Sequence, residues 1–290
     1  MISIIISSYN DDLFEQVCDS IETTIGSVYE IVKISNKGKF GITTAYNLGV
    51  QRAKFDILVF CHEDVLFHTA NWGLKLIEKF SINKKLGLAG FAGSRYKPFN
   101  ISGWFIDDPD ILVYNMFESN YKQPTVDKRL INNITEDTFV SCIDGFFMAS
   151  TKSVMNGCLF DEKLLEGYHG YDLDISLCIG QRFDIMVIGD ISIEHRSYGK
   201  IDGNWVTDII KVNQKWQASL PRATRPFEDK ERYEYLALST MLTESRGDFK
   251  SFRKLGKFVF SAYQFQNIGV KYLSRLVAKY FMIASKLFFR

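Results

Sequence analysis

An α/β fold built on a parallel sheet is what the N-terminal third of the chain predicts, and three observations carry the prediction. Residues Ile2 to Ile6 form a β-branched run (Ile2, Ile4, Ile5, Ile6) that stops at Ser7-Ser8-Tyr9-Asn10, the pattern of a strand buried on both faces. Asp11 to Thr24 then carries apolar residues at helical spacing, Leu13, Val17 and Ile21, with Asp11 or Asp12 placed to cap the helix. A strict alternation of strand, loop, helix and strand follows, which implies right-handed crossovers and a parallel sheet.

In chain order, a second strand is expected at Tyr29 to Ile34, running into Ser35-Asn36-Lys37-Gly38, then a helix at Ile42 to Ala53 and a third strand at Asp56 to Phe60. Trp72 to Phe80 reads as a helix and Leu86 to Phe91 as a strand. From Arg95 to Glu136 the chain is aromatic and polar without a clear period, and reads as irregular. Order returns at Thr138 to Ser150, followed by Phe160-Asp161, a Gly-rich turn at Gly167 to Gly170, a helix from about Asp172 to Gln181 and a strand near Phe183 to Ile188. There is no internal repeat and no low-complexity segment.

Composition places the chain among folded globular proteins: 46% of residues are hydrophobic, and of its 290 residues only five are proline. Five cysteines (Cys18, Cys61, Cys142, Cys158, Cys178) are odd in number and show no metal-ligand spacing, so reduced, mostly buried thiols are expected. Met1 leads straight into the first strand without a basic n-region, which predicts a cytoplasmic protein. The net charge of +1 hides an asymmetry: residues 250 to 290 hold six Lys, three Arg and no acid, a charge of +9, which leaves −8 on the first 249 residues.

Three clusters could carry chemistry. Cys61-His62-Glu63-Asp64 follows the third strand, and in open α/β sheets ligands bind beyond the carboxyl ends of the strands. Alone, such an acid pair is what a solvated loop carries; at a strand end, carboxylates bind hard divalent cations and His tolerates Mn²⁺. The second cluster is EGYHGYDLDISLCIG at 166 to 180. Asp172 and Asp174 could cap the helix there, but a cap does not explain His169 and Tyr171 crowding a turn that holds Gly167 and Gly170. The third, ISIEHRSYGK at 191 to 200, places His195 after a strand-like run.

At these residues the chain resembles the family 2 type of GT-A glycosyltransferases, in particular the glycosyltransferase-like subgroup. The resemblance covers about residues 1 to 215. Its carriers are Ile2 to Asn10, Gly41 with Ala45-Tyr46-Asn47-Leu48-Gly49 and Ala53, VFCHEDV at 59 to 65, IDGFFMAS at 143 to 150, FDEKL at 160 to 164 and YDLDISL at 171 to 177. The resemblance implies a GT-A type, Rossmann-like, mostly parallel sheet with flanking helices, a nucleotide-sugar donor over its first half and a glycan or lipid-linked acceptor entering from the second. Ser8, Tyr9, Asn10, Asn36, Asn47 and Glu63 are implied on the donor side. His62-Glu63-Asp64 stands where the family has its DxD, with His62 in place of the first Asp; Asp64, His62 and His195 are implied as ligands of a divalent metal, Mn²⁺ or Mg²⁺. Asp172 falls at the catalytic base of an inverting transfer, with Tyr171 where the family has Glu. Asp144, Gly145, His169 and Tyr171 are implied around the acceptor.

Residues 216 to 290 are expected as a helical C-terminal region. From Val270, Leu273, Leu276, Val277, Tyr280, Ile283, Ala284, Leu287 and Phe288 recur at helical spacing beside Lys271, Arg275 and Lys279. A basic amphipathic helix of about 250 to 290 can lie on an anionic membrane surface, which predicts a peripheral protein at the inner face; packing on the domain, or on a second copy in a homo-oligomer, is the rival reading. Synthesis of a cell-surface polysaccharide is the expected setting, with no nucleic acid as partner. A nucleotidyltransferase is disfavoured because SSYNDD has no Gly- and basic-rich loop, and a catalytically silent scaffold on the same fold is the rival from another class.

Overall fold

The computed structural model describes residues 1–122, 128–197, 202–261 and 267–288. The N-terminal part alternates as expected, β1 (Ile2–Ser8), α1 (Asp11–Thr24), β2 (Tyr29–Ser35), α2 (Ile42–Arg52), β3 (Ile57–Cys61), α3 (Trp72–Ile82) and β5 (Leu86–Gly90), with one short strand the sequence did not announce, β4 (Val65–Phe67), between β3 and α3. Asn10 is the N-cap of α1, its side-chain oxygen accepting from the Asp12 and Leu13 N–H groups, a step earlier than the aspartates expected there. Leu13, Val17 and Ile21 form the buried stripe.

After β6 (Ala92–Ser94), the stretch expected to be irregular holds three strands, β7 (Tyr96–Lys97), β8 (Leu112–Glu118) and β9 (Arg129–Asn132). Sequence periodicity misses them because their partners are remote or their length is two to four residues, too short for a pattern; β8, the longest, lies between β6 and β14 (Ile193–His195). Thr138 to Ser150 is three strands, β10 (Thr138–Val140), β11 (Cys142–Ile143) and β12 (Phe147–Thr151), followed by α4 (Lys152–Met155), α5 (Tyr171–Ile179) and β13 (Asp184–Val187).

The main sheet has the order β10-β13-β5-β12-β3-β1-β2. Strands β2, β1 and β3 are mutually parallel, β12 is antiparallel to both β3 and β5, β13 is parallel to β5 and β10 is antiparallel to β13. Only β10 and β12 therefore oppose the rest, and the sheet is mostly parallel. The reversal at β12 matters for the site: Phe147 pairs with Cys61, so the residues that enter β12 reach the same edge where β3 ends. A smaller sheet, β11-β6-β8-β14-β4, stands beside it with β9 on β8.

The chain continues through α6 (Gly203–Trp216), β15 (Arg222–Ala223), α7 (Lys230–Glu244), α8 (Phe249–Val259) and α9 (Val270–Phe288). Buried residues of these helices, Leu238, Met241, Phe252, Leu255, Leu276 and Ile283, join one apolar cluster with Ile5, Phe60 and Met148 of the sheet. The apolar stripe of α9 is thus largely an inner face. Tyr272 stacks on Tyr235 and Tyr280 on Phe252, and Lys279 reaches back to Ser239 at 2.6 Å. This corrects the expectation that the stripe is free for a membrane: packing on the domain takes it. Lys271, Arg275 and Lys286 with Phe281 and Met282 remain outward. No helix among the described residues is long and apolar enough to cross a membrane. Residues 262–266 and 289–290 of the expected tail lie outside the described residues.

A second correction concerns the cysteines. Cys158 and Cys178 form a disulfide, their Cα atoms 6.0 Å apart and 20 residues apart in sequence, while Cys18, Cys61 and Cys142 are free thiols. No short spacing announces the pair; the bridge exists because α5 lies across the segment that follows α4.

Candidate active site

Four chain segments meet at the carboxyl edge of β3. The turn from β3 to β4 supplies His62, Glu63 and Asp64. Antiparallel pairing of β14 with β4, His195 opposite Val65, brings His195 to the same turn, and the Arg196 N–H donates to the Asp64 carbonyl at 2.9 Å. The reversal at β12 delivers Asp144-Gly145-Phe146, with Phe146 accepting from the His62 N–H through its carbonyl at 2.9 Å. Gly170, at φ 74°, starts α5 and sets Tyr171 and Asp172 facing this edge; that left-handed φ is what glycine tolerates without strain.

Ligand atoms of His62, Asp64 and His195 all lie within 4.8 Å of one another. His195 Nε2 is 3.6 Å and His62 Nδ1 3.9 Å from Asp64 Oδ1. That oxygen is buried and accepts no hydrogen bond among the described residues, an arrangement that ordinarily costs about 1–3 kcal/mol and that a cation would satisfy. Burial drives the Asp64 carboxyl up, but His195, His62 and Ser197 outweigh it and hold the group below the usual range, charged. Burial pushes His62 down, towards the neutral imidazole that ligates, against the pull of Asp64. His195 is fixed by stacking on Phe146, centroids 4.6 Å apart at 11°. Two nitrogens and a carboxylate make a donor set that Mn²⁺ accepts, so the residues present fit a divalent metal.

Asp172 accepts from the Leu173 N–H at 2.8 Å and is crowded by protein although part of its surface is open. Burial, then the charge of Asp144, raises its carboxyl to about 7, where a general base works near neutral pH. Asp174, next in the same turn, is tied up: it is 2% exposed and bonded to Lys215 and Trp216. It is a structural anchor between α5 and α6.

The expected donor-side residues divide. Tyr9 is 65% exposed at the mouth of the site, its hydroxyl shifted up by burial and by Tyr121, Glu63 and Asp64. Ser8 is buried beneath it. Glu63 is 4% exposed and its carboxylate accepts the N–H groups of Tyr9 and Asn10 at 3.3 and 3.1 Å, so it clamps the β1–α1 turn against the β3–β4 turn. The Asn10 side chain caps α1. Asn36 is buried with its amide spent on the Phe40 carbonyl and the Lys39 and Phe40 N–H groups, which shapes the loop after β2. Asn47 binds the backbone of Phe160 in both directions and Glu162; it holds the FDEKL segment on α2. On the acceptor side, His169 lies 3.6 Å from Asp202 at the start of α6, Asp144 accepts from the Phe146 N–H, and Tyr171 is buried with its hydroxyl 2.7 Å from His62 Nε2. Sequence reasoning passed over Arg196: it is buried, one guanidinium nitrogen donates to Gln16 at 2.8 Å, and Nε and Nη2 meet no acceptor among the described residues. The His-Arg pair at a strand end was its signal.

Residues 3–218 match the model of the glycosyltransferase-like family. The chain belongs to that family. A crystal structure of GalNAc-T7 with UDP, GalNAc and Mn²⁺ is similar in fold, with a TM-score of 0.52 at 13% identity over 91% of this chain and 57% of that one; the chain thus spans little more than half the length of this structure. No curated protein matches the chain. The architecture is accordingly a GT-A glycosyltransferase fold with further helices at its C-terminal end.

Proposed function

We propose that this protein is a glycosyltransferase that moves a sugar from a nucleotide-sugar donor to a hydroxyl of a glycan or lipid-linked saccharide, with inversion at the anomeric carbon. The observation that carries the reading is the convergence of His62, Asp64 and His195 around an unsatisfied buried carboxylate oxygen, on the same edge as a carboxyl raised to about 7. The similar structure was solved with UDP, GalNAc and Mn²⁺, which supports a nucleotide-sugar donor, a saccharide and a divalent metal here.

His62, Asp64 and His195 would hold Mn²⁺ or Mg²⁺, which neutralises charge on the leaving diphosphate. Tyr9 offers an exposed ring to the base, and the unpaired N–H groups of Arg196 add a buried positive charge behind Asp64. Asp172 takes the proton from the acceptor hydroxyl as its oxygen attacks, and Asp144 keeps that proton affinity high. The basic outward face of α8 and α9, with Phe281 and Met282, supports work close to an anionic surface that presents a lipid-linked acceptor.

The test is nucleotide affinity with and without Mn²⁺. Asp64→Ala removes the metal-dependent part of UDP-sugar or GDP-sugar affinity in a chain that still folds; unchanged metal dependence in that variant sinks the assignment.

A further inference from the structure

A neutral imidazole carries one N–H, and which ring nitrogen bears it decides which one is left to ligate. In His62, Nδ1 faces Asp64 Oδ1 at 3.9 Å, on the side where His195 Nε2 approaches the same oxygen at 3.6 Å. For Nδ1 to offer its lone pair there, the proton must be on Nε2 and needs an acceptor. Tyr171 Oη lies 2.7 Å from Nε2. The phenol has little freedom: Tyr171 is 5% exposed, its ring packs against Tyr46 and Phe160 at centroid distances of 5.8 and 6.4 Å, and a Cβ on Gly145 would come within 2.3 Å of Oη. Gly145 is thus bare because the end of Tyr171 fills the place, rather than to leave room for an acceptor.

We propose that Tyr171 is a positioning residue of the metal centre: its hydroxyl accepts the Nε2–H of His62 and turns Nδ1 towards the cation shared with Asp64 and His195. The assignment rests on the metal reading above. It makes α5 a rigid link between the two halves of the site, since the neighbouring residue on the same helix turn is Asp172. A carboxylate at this position would also accept the Nε2–H, but it would add a second buried negative charge beside Asp64, whereas the phenol accepts the same proton without one. Partners beyond the ligands of a metal commonly set its affinity by about 10- to 100-fold.

The experiment titrates Mn²⁺ into the full-length chain, alone and with UDP, following free Mn²⁺ by electron paramagnetic resonance, for the wild type, Tyr171→Phe, His62→Ala and the double variant. Tyr171→Phe keeps the ring in its aromatic cluster and should weaken Mn²⁺ binding about 10- to 100-fold. The double variant should bind no more weakly than His62→Ala alone, because the hydroxyl acts through that imidazole. Wild-type Mn²⁺ affinity in Tyr171→Phe overturns the proposal while leaving the metal site intact, and so does a loss that adds in full to that of His62→Ala. A wild type that binds Mn²⁺ in neither condition overturns the metal reading itself. Should Tyr171→Phe fail to fold, Gly145→Ala displaces the hydroxyl without deleting it, and an unaltered Mn²⁺ affinity in that variant is equally fatal.

Discussion

At the scale of single residues, the site is made of side chains whose protonation is set by what surrounds them. Asp64 and Asp172 are both carboxylates near the end of β3, yet the first is held charged by two imidazoles and Ser197 while the second is raised to about 7 by burial and by Asp144. Pushing two such groups apart in this way separates a charge-bearing role from a proton-accepting one. Asp172→Asn should therefore keep donor affinity and lose transfer by about 10² to 10⁴-fold. The basic form of Asp172 exists above its folded pKa, so kcat/KM of the wild type should rise with pH through about 7. The stability sign runs opposite: below about 4 both states hold the proton, between there and 7 only the folded state does, and stability contributed by this group falls as pH climbs through that window. Chemical denaturation from pH 5 to 8, wild type against Asp172→Asn, measures it; a slope identical in the two proteins would deny Asp172 its raised pKa.

Elements decide where those residues stand, and much of the polar chemistry near the site serves that end. Glu63 was expected to touch the donor. Instead it joins the β1–α1 and β3–β4 turns through the Tyr9 and Asn10 N–H groups. Removing a buried acceptor from such donors costs about 1–3 kcal/mol. Glu63→Ala should lower stability by that amount and weaken nucleotide binding as the Tyr9 turn loosens, with Glu63→Gln recovering part of both. A Glu63→Ala protein of undiminished stability that nonetheless loses the nucleotide would restore direct contact. Asn36 and Asn47 tell the same story from the loop after β2 and the FDEKL segment. Their positions in the family pattern were legible, but whether an amide faces ligand or backbone depends on the neighbouring carbonyls, which no local pattern reveals.

For the whole molecule, the surprise is how far the C-terminal helices belong to the core. Phe252, Leu255, Val259, Leu276 and Ile283 are buried in a cluster shared with the main sheet, and each such side chain contributes roughly 1.5–3 kcal/mol. Five of them rival the whole stability of a typical domain, about 5–15 kcal/mol. A chain ending at Asp248 should accordingly aggregate or melt far below the full-length protein, rather than fold as an independent catalytic core. Circular dichroism melts and gel filtration of the two chains decide it, and a truncated protein that melts at the full-length temperature would show α8 and α9 to be an appendage after all.

The sequence by itself determined the mostly parallel α/β sheet, the strand end at which chemistry would gather, and the residue types His62, Asp64, Asp172 and His195. The sheet rests on short-range signals, a β-branched run and a helical period, while the four site residues were singled out as candidates by their places in a resemblance to a known family. Only the tertiary structure decided what those signals leave open. It paired β12 against β3 and so brought Asp144 and Gly145 beside His62; it sealed Cys158 to Cys178 and filled the space above Gly145 with Tyr171. It also turned the apolar stripe of α9 inward, because apolar surface recorded in a sequence carries no address, and packing against α7 and α8 supplied one before any membrane could.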